Sequence, residues 1–212
     1  MYRINRHLAA AMISGASILL APGAFAAQDG VRIDHLGVNN TLVRVNTDKN
    51  FIVLPVQESI DDARINVLVD GKIAETIFVR LANTKTDYSV PFDLSRYKGH
   101  DVIFDIVAPH GRSSVREAAD AVCWDGIYLT DSFDTTDREK KYRPAYHHTP
   151  LYGWMNDPNG MFYKDGVWHL YYQYNPYGSK WQNMTWGHSS SSDLIHWNHE
   201  PIAIRPDGLG SI

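Results

Sequence analysis

Cysteine is all but missing from this sequence: Cys123 is the one cysteine in 212 residues. A lone thiol closes no internal disulfide, so packing must hold the fold, and Cys123 itself reads as an inert buried side chain. Positive charge is also in short supply. Lys and Arg total 20 against 24 Asp and Glu, a formal net charge of -4. A surface without basic excess displaces few counterions from a phosphate backbone, so nucleic acid is excluded as a partner. No block of like charge suggests a polyelectrolyte tail. Nor is there an apolar run of the about 20 residues that a bilayer span needs. The closest, Leu8 to about Leu20, is broken by Pro22 and Gly23. What is plentiful is apolar and aromatic surface: 44% of the residues are hydrophobic and 12% aromatic, enough for a real core and one or two domains. The 6 Trp and 12 Tyr gather towards the last third.

Residues 1–26 have the three parts of a secretory signal peptide. Arg3 and Arg6 make the basic start, the Leu8–Leu20 run follows, and Ala24-Phe25-Ala26 is the small-x-small pattern cut after Ala26. With no cysteine behind the apolar run there is no lipoprotein site. Export without a disulfide fits a bacterial periplasm or exterior, with no stable membrane anchor.

Residues 27–130 read as all-β. Thr41–Val45 alternates, Phe51–Val56 is a short apolar run, and Ile65–Val69 and Ile73–Arg80 flank Asp70-Gly71, a pair suited to a tight hairpin. Val102–Val107 and Gly126–Thr130 are further strands, and Ser114 with Glu117 makes a capping box for a short helix over Val115–Val122. Many short strands at close spacing predict a small antiparallel β-sandwich. No set of polar or acidic residues converges here, and Asp61-Asp62 reads as a solvated turn. Asp131 to Lys141 is polar and aperiodic, a linker.

From Tyr142 onward the composition shifts to Tyr, Trp, His, Asn and Pro. Its centre is Trp154-Met155-Asn156-Asp157-Pro158-Asn159-Gly160. Asp-Pro and Asn-Gly are turn dipeptides, so the plain reading is a tight loop between strands. The neighbours Tyr152, Trp154 and Trp181 add apolar faces on which sugar rings stack, beside a carboxylate of the kind glycoside cleavage places at the anomeric carbon. Met161–Tyr163 and Val167–Asn175 then form a hairpin about Asp165-Gly166. On the second strand Trp168, Leu170, Tyr172 and Tyr174 share one face and read as core, while Val167, His169, Tyr171 and Gln173 share the other. The Gln173 amide either is satisfied within the sheet or reaches a sugar hydroxyl. Thr185–Ser190 and, after a turn at Asp193, Trp197–Ile204 complete four antiparallel strands, one propeller blade.

Tyr142-Arg143-Pro144, His147, Thr149-Pro150 and Gly153 through Gly160 resemble the opening motif of glycoside hydrolase family 32, the fructan hydrolases and invertases. Tyr171-Tyr172-Gln173-Tyr174-Asn175-Pro176, Trp186-Gly187-His188 and Ser192-Asp193-Leu194-Ile195-His196-Trp197 continue it in order, so the resemblance covers Tyr142–Ile212. His148 departs from it, standing where these enzymes often carry Phe. The resemblance implies a five-bladed β-propeller, of which residues 142–212 are the first blade, and a retaining two-step mechanism. Asp157 would attack the anomeric C2 of a fructosyl unit and form a covalent fructosyl-enzyme. Asn156 would bind fructose hydroxyls, Trp154 and Trp181 would wall the pocket, and Gln173 would be the substrate-contacting amide. Trp186 and His188 would support the blade. Levan, inulin or sucrose would be the substrate, with no metal or organic cofactor.

The family's Arg-Asp-Pro motif and the Glu-Cys motif that supplies its acid/base Glu have no counterpart before Ile212. Glu200, the sole Glu after Glu139, lies between His199 and Pro201 and reads as a strand-end surface residue. The expectation is half of a catalytic pair, in a fragment inactive by itself. Two rivals stand beside it: a non-catalytic carbohydrate-binding module, which would need the aromatic walls but not Asp157, and an inverting five-bladed glycosidase, which would use Asp157 as general base. A metal site at His196 and His199 is disfavoured, because an offset of three in an extended segment points the two rings to opposite faces.

Overall fold

β-Branched and aromatic residues punctuated by Gly, Asp and Asn turns fold into strands throughout the computed structural model, which describes residues 30–109, 118–135, 144 and 146–206. The first unit runs through β1 (Val31–His35), β2 (Asn40–Val45), β3 (Phe51–Val56), β4 (Ala63–Val69), β5 (Lys72–Val79), β6 (Tyr88–Asp93), β7 (Val102–Val107), a helical turn α1 (Cys123–Gly126) and β8 (Tyr128–Thr130). All its pairings are antiparallel. One sheet has the order β1-β2-β7-β4-β5, and the other β6-β3-β8. Alternate residues of the two sheets meet in one core, with Val43, Ile65, Ile77, Phe104 and Ile106 from the first and Ile52, Leu54, Val90 and Phe92 from the second. Phe92 and Phe104 touch edge to face at 5.1 Å, joining the layers. The expected small sandwich is present.

Asp70 and Gly71 both adopt positive φ, 49° and 76°, as a tight hairpin between twisted strands requires. Two elements go beyond or differ from the expectation. β6 is not among the expected strands; it carries Pro91 and is the outermost strand of its sheet, where a missing N–H breaks no inner ladder. The helix expected over Val115–Val122 falls partly outside the described residues. Those that are described form a 3-10 turn at Ala118–Asp120, and the helical turn follows at α1, where Cys123 N–H donates to the Ala82 carbonyl at 2.9 Å. The segment read as a signal peptide also lies outside the described residues.

The second unit is a four-stranded antiparallel sheet of β9 (Trp154–Lys164), β10 (Val167–Asn175), β11 (Thr185–Ser191) and β12 (Asn198–Ile204), in the spatial order β12-β11-β10-β9. Leu170, Tyr172 and Tyr174 form its buried cluster with Tyr152, Met155, Trp197 and Ile202. Gly187 faces Tyr172 across the ladder so closely that an added Cβ would lie 2.3 Å from the ring, which leaves room for no larger residue. The loop expected at Asp157-Pro158 is corrected: the whole Trp154–Lys164 segment is the edge strand β9. An edge tolerates Pro158, and two register shifts against β10 absorb the turn-forming residues as bulges.

The two units touch. Tyr177, which follows β10, belongs to the sandwich core, and Asp93 at the end of β6 pairs with Arg205 beyond β12 at 2.9 Å. Phe133 in the connecting segment meets the Tyr152 ring edge-on.

Candidate active site

The β9 bulges sit where the candidate residues are. The register passes from Tyr171 opposite Gly160 to Tyr172 opposite Pro158, skipping Asn159, and then to Tyr174 opposite Met155, with Asn156 and Asp157 between. Each extra residue bends the strand and re-aims its side chains, a device common beside active sites. Asp157 is exposed, whereas Asn156 and Gln173 are half-buried. Asn156 Nδ2 donates to Gln173 Oε1 at 2.9 Å, so the structure brings these two expected site residues together on adjacent strands. The bond leaves one acceptor on Asn156 and one donor pair on Gln173 for other partners. The Asn159 amide nitrogen is buried on the same strand without a partner among the described residues.

Trp154 begins β9 opposite Asn175 and is half-buried; Trp181 lies on the β10–β11 connection and is 57% exposed. Among the described residues no hydrogen bond or ring contact ties either indole to the Asn156–Gln173 pair. Glu200 is not a strand-end residue: it lies within β12 opposite His188, and its carboxylate accepts a hydrogen bond from Ser190 Oγ at 2.6 Å. His196 lies ahead of β12 in a turn built by Asp193, which accepts from the Ile195 and His196 amides and from His196 Nδ1. That capping explains its position better than a metal does.

Residues 147–211 match the glycosyl hydrolases family 32 N-terminal domain, and residues 37–146 match the domain of unknown function DUF4980. The chain belongs to the DUF4980 family, joined to a glycosyl hydrolase family 32 segment. The family 32 segment is similar to a levanase of Bacillus subtilis, 51% identical over 85 residues, which is 40% of this chain and 13% of that protein. It is also similar to an extracellular exo-inulinase of Aspergillus niger, 49% identical over 73 residues, 34% of this chain and 14% of that protein. Invertase 1 of Saccharomyces cerevisiae is 55% identical over 71 residues, 32% of this chain and 13% of that protein. The chain thus spans roughly an eighth of the length of the relatives it matches.

In the family 32 segment the sequence reading missed an aromatic and imidazole face beside Gln173. Tyr171 stacks on His188 at 4.4 Å, Phe162 stacks on His169 at 5.0 Å, and His169 Nδ1 lies 3.0 Å from His188 Nε2. Partial burial holds the His188 pKa below its usual value; the neighbouring His169 adds to this and Glu200 opposes it. The signal was available in the period-two spacing of His169, Tyr171 and Gln173, but their cross-strand partners depend on the β10–β11 register. His148, where the resemblance has Phe, sits in an aromatic pocket against Tyr172 and Trp197 and places Nε2 2.8 Å from Ser189 Oγ.

Proposed function

We propose that this chain is part of a retaining glycosidase acting on levan, inulin or sucrose, with Asp157 as the nucleophile. The observation that carries the reading is an exposed carboxylate on a bulged edge strand directly after the Asn156–Gln173 amide pair. A fructosyl unit offers vicinal hydroxyls, and the acceptor left on Asn156 and the donors left on Gln173 suit them. Attack by Asp157 at C2 gives a fructosyl ester and releases the leaving alcohol; water then cleaves the ester. Trp154 and Trp181 wall the pocket, and no metal is needed. The reading gives Glu200 of β12 no catalytic part, since its carboxylate is held by Ser190 on β11. The reading leaves the acid/base unassigned.

Export belongs to the same reading. Arg3, Arg6, the Leu8–Leu20 run and Ala24-Phe25-Ala26 support a signal peptide, and a similar exo-inulinase is named as extracellular. Among the described residues no helix is long and apolar enough to cross a membrane.

The test is made in the longest natural polypeptide that carries these residues. Asp157→Asn should lower fructan or sucrose hydrolysis by several orders of magnitude with the fold unchanged. A fructosyl fluoride, whose leaving group needs no acid, should label Asp157 on rapid quenching and leave Asp157→Asn unlabelled. Turnover above about a tenth of wild type would overturn the assignment, because loss of a nucleophile is never that mild.

A further inference from the structure

The connection between β10 and β11, residues 176–184, is anchored on the sandwich as well as on its own sheet. Tyr177 is 3% exposed, and its ring stacks on Phe92 at 5.9 Å within the sandwich core. Asn183 is 5% exposed and treats β5 as a neighbouring strand would. Its Oδ1 accepts from Phe78 N–H at 2.7 Å and its Nδ2 donates to the Phe78 carbonyl at 2.7 Å. β5 is the outer strand of the five-stranded sheet, so this amide satisfies backbone groups that no other strand reaches. The Ser179 side chain lies beside the Tyr88 phenol on β6. Inside the connection, Asn175 closes the curve: Oδ1 accepts from Tyr177 N–H at 3.0 Å and from Asn183 Nδ2 at 3.1 Å, and Nδ2 donates to the Lys180 carbonyl at 2.7 Å. Between these buried anchors Ser179, Lys180 and Trp181 stand exposed.

A side chain that offers a flat ring to a sugar works only if its backbone is fixed beforehand, since ordering it on binding subtracts from affinity. Here Asn175 on β10 shapes the curve, and the groups that hold it from outside, Phe78 and Phe92, belong to the sandwich. We propose that the sandwich is a positioning element for the β10–β11 connection, and through it for Trp181, with Tyr177 and Asn183 as the positioning residues. The proposal rests on the reading of Trp181 as a wall of the fructosyl pocket. It gives the sandwich a part in substrate binding without any sugar contact of its own.

The test reads the order of the connection separately from turnover. In the full chain labelled with 5-fluorotryptophan, with the Trp181 signal assigned by Trp181→Phe, Asn183→Ala and Tyr177→Ala should shift and broaden that signal. They should also speed amide exchange over residues 176–184 and at Phe78, while β3 and β10 stay protected. Tyr177→Phe, which keeps the ring, should preserve both. Should either Ala variant fail to fold, Asn183→Asp serves in its place, because it loses the donor to the Phe78 carbonyl and keeps the shape. In the hydrolytic polypeptide the same variants should raise KM roughly tenfold with kcat little changed, the pattern of lost binding rather than lost chemistry. A Trp181 signal and loop exchange unmoved by these changes, with only the melting temperature lowered, would overturn the proposal. Loss of the glycosidase reading by an active Asp157→Asn leaves those two measurements standing, so the two failures are distinguishable.

Discussion

Arg205 and Asp93 form an ion pair across 112 positions of sequence, Nη2 to Oδ2 at 2.9 Å, with side chains 13% and 30% exposed. Asp93 spends its other oxygen on Ser95, accepting from both its N–H and its hydroxyl. The pair is the polar counterpart of the Tyr177 contact and ties the last strand of the family 32 segment to the sandwich. Such a half-buried pair lies between exposed bridges and buried ones in strength. Arg205→Ala should lower stability by about 1–2 kcal/mol, more than the roughly 0–1 of a surface bridge and less than a fully buried one. Because Asp93→Ala also frees Ser95, a double-mutant cycle by urea unfolding is the measurement to make. Coupling indistinguishable from zero at low salt would show that the pair does not form in solution.

Cys123 is 1% exposed, and burial pushes its thiol up to about 12. The thiolate is the reactive form, so a native thiol of this kind should be inert. A disulfide reagent at pH 8 should leave the folded chain unmodified and titrate one thiol after denaturation. Native modification at the denatured rate would mean that α1 does not pack on Ala82 as described.

Strands were legible where their period was intact. β3, β7 and β10 run as the alternation or apolar run predicts, because one or both faces are buried and a slip would expose them. β6, which carries Pro91, was not named from the sequence, and the upstream half of β9 was hidden by Asp157-Pro158-Asn159-Gly160, where local turn chemistry lost to the sheet edge and its bulges. Asp157, Asn156 and Gln173 could be named from motif order, and the structure adds that the two amides are partners. For Gln173 it adds that Oε1 accepts within the sheet, from Asn156. Tyr177 and Asn183 were illegible as anchors. Nothing local in Tyr177-Gly178-Ser179 tells that the ring enters the core of another sheet, since that contact depends on where residues some hundred positions earlier have folded.

His188 sets a pH limit on the second sheet. Its folded pKa lies below the unfolded value of 6.5, chiefly from burial. The unfolded chain therefore binds the proton more tightly, and protonation favours unfolding. The contribution is complete above pH 6.5 and is lost as pH falls from there through the folded pKa. His35, lowered by burial against the partial opposition of Asp34, acts in the same sense in the sandwich. Melting temperature should fall on going from pH 7.5 to pH 5.5, and His188→Gln should flatten part of that slope while leaving the part due to His35. An identical slope in both proteins would remove His188 from the account.

Trp181 and Trp154 should separate on mutation because their surroundings differ. Trp181 is 57% exposed, so removing its ring uncovers little core, and Trp181→Ala should cost about 0.5 kcal/mol or less, as surface changes do. Trp154 is half-buried on β9 opposite Asn175. Its Ala variant should cost about 1–3 kcal/mol, short of the 3–5 typical of a fully buried Trp. In the polypeptide that hydrolyses fructan or sucrose, both changes should lower kcat/KM, but only Trp154→Ala should also lower the melting temperature appreciably. The contrast matters more than either value. A ring that covers no core has no folding reason to be large and aromatic, so its loss should appear in substrate binding. Unchanged kinetics in a fully folded Trp181→Ala protein would leave the exposed indole without a part in the pocket. Large destabilisation by Trp181→Ala would instead show that the ring packs against protein in solution.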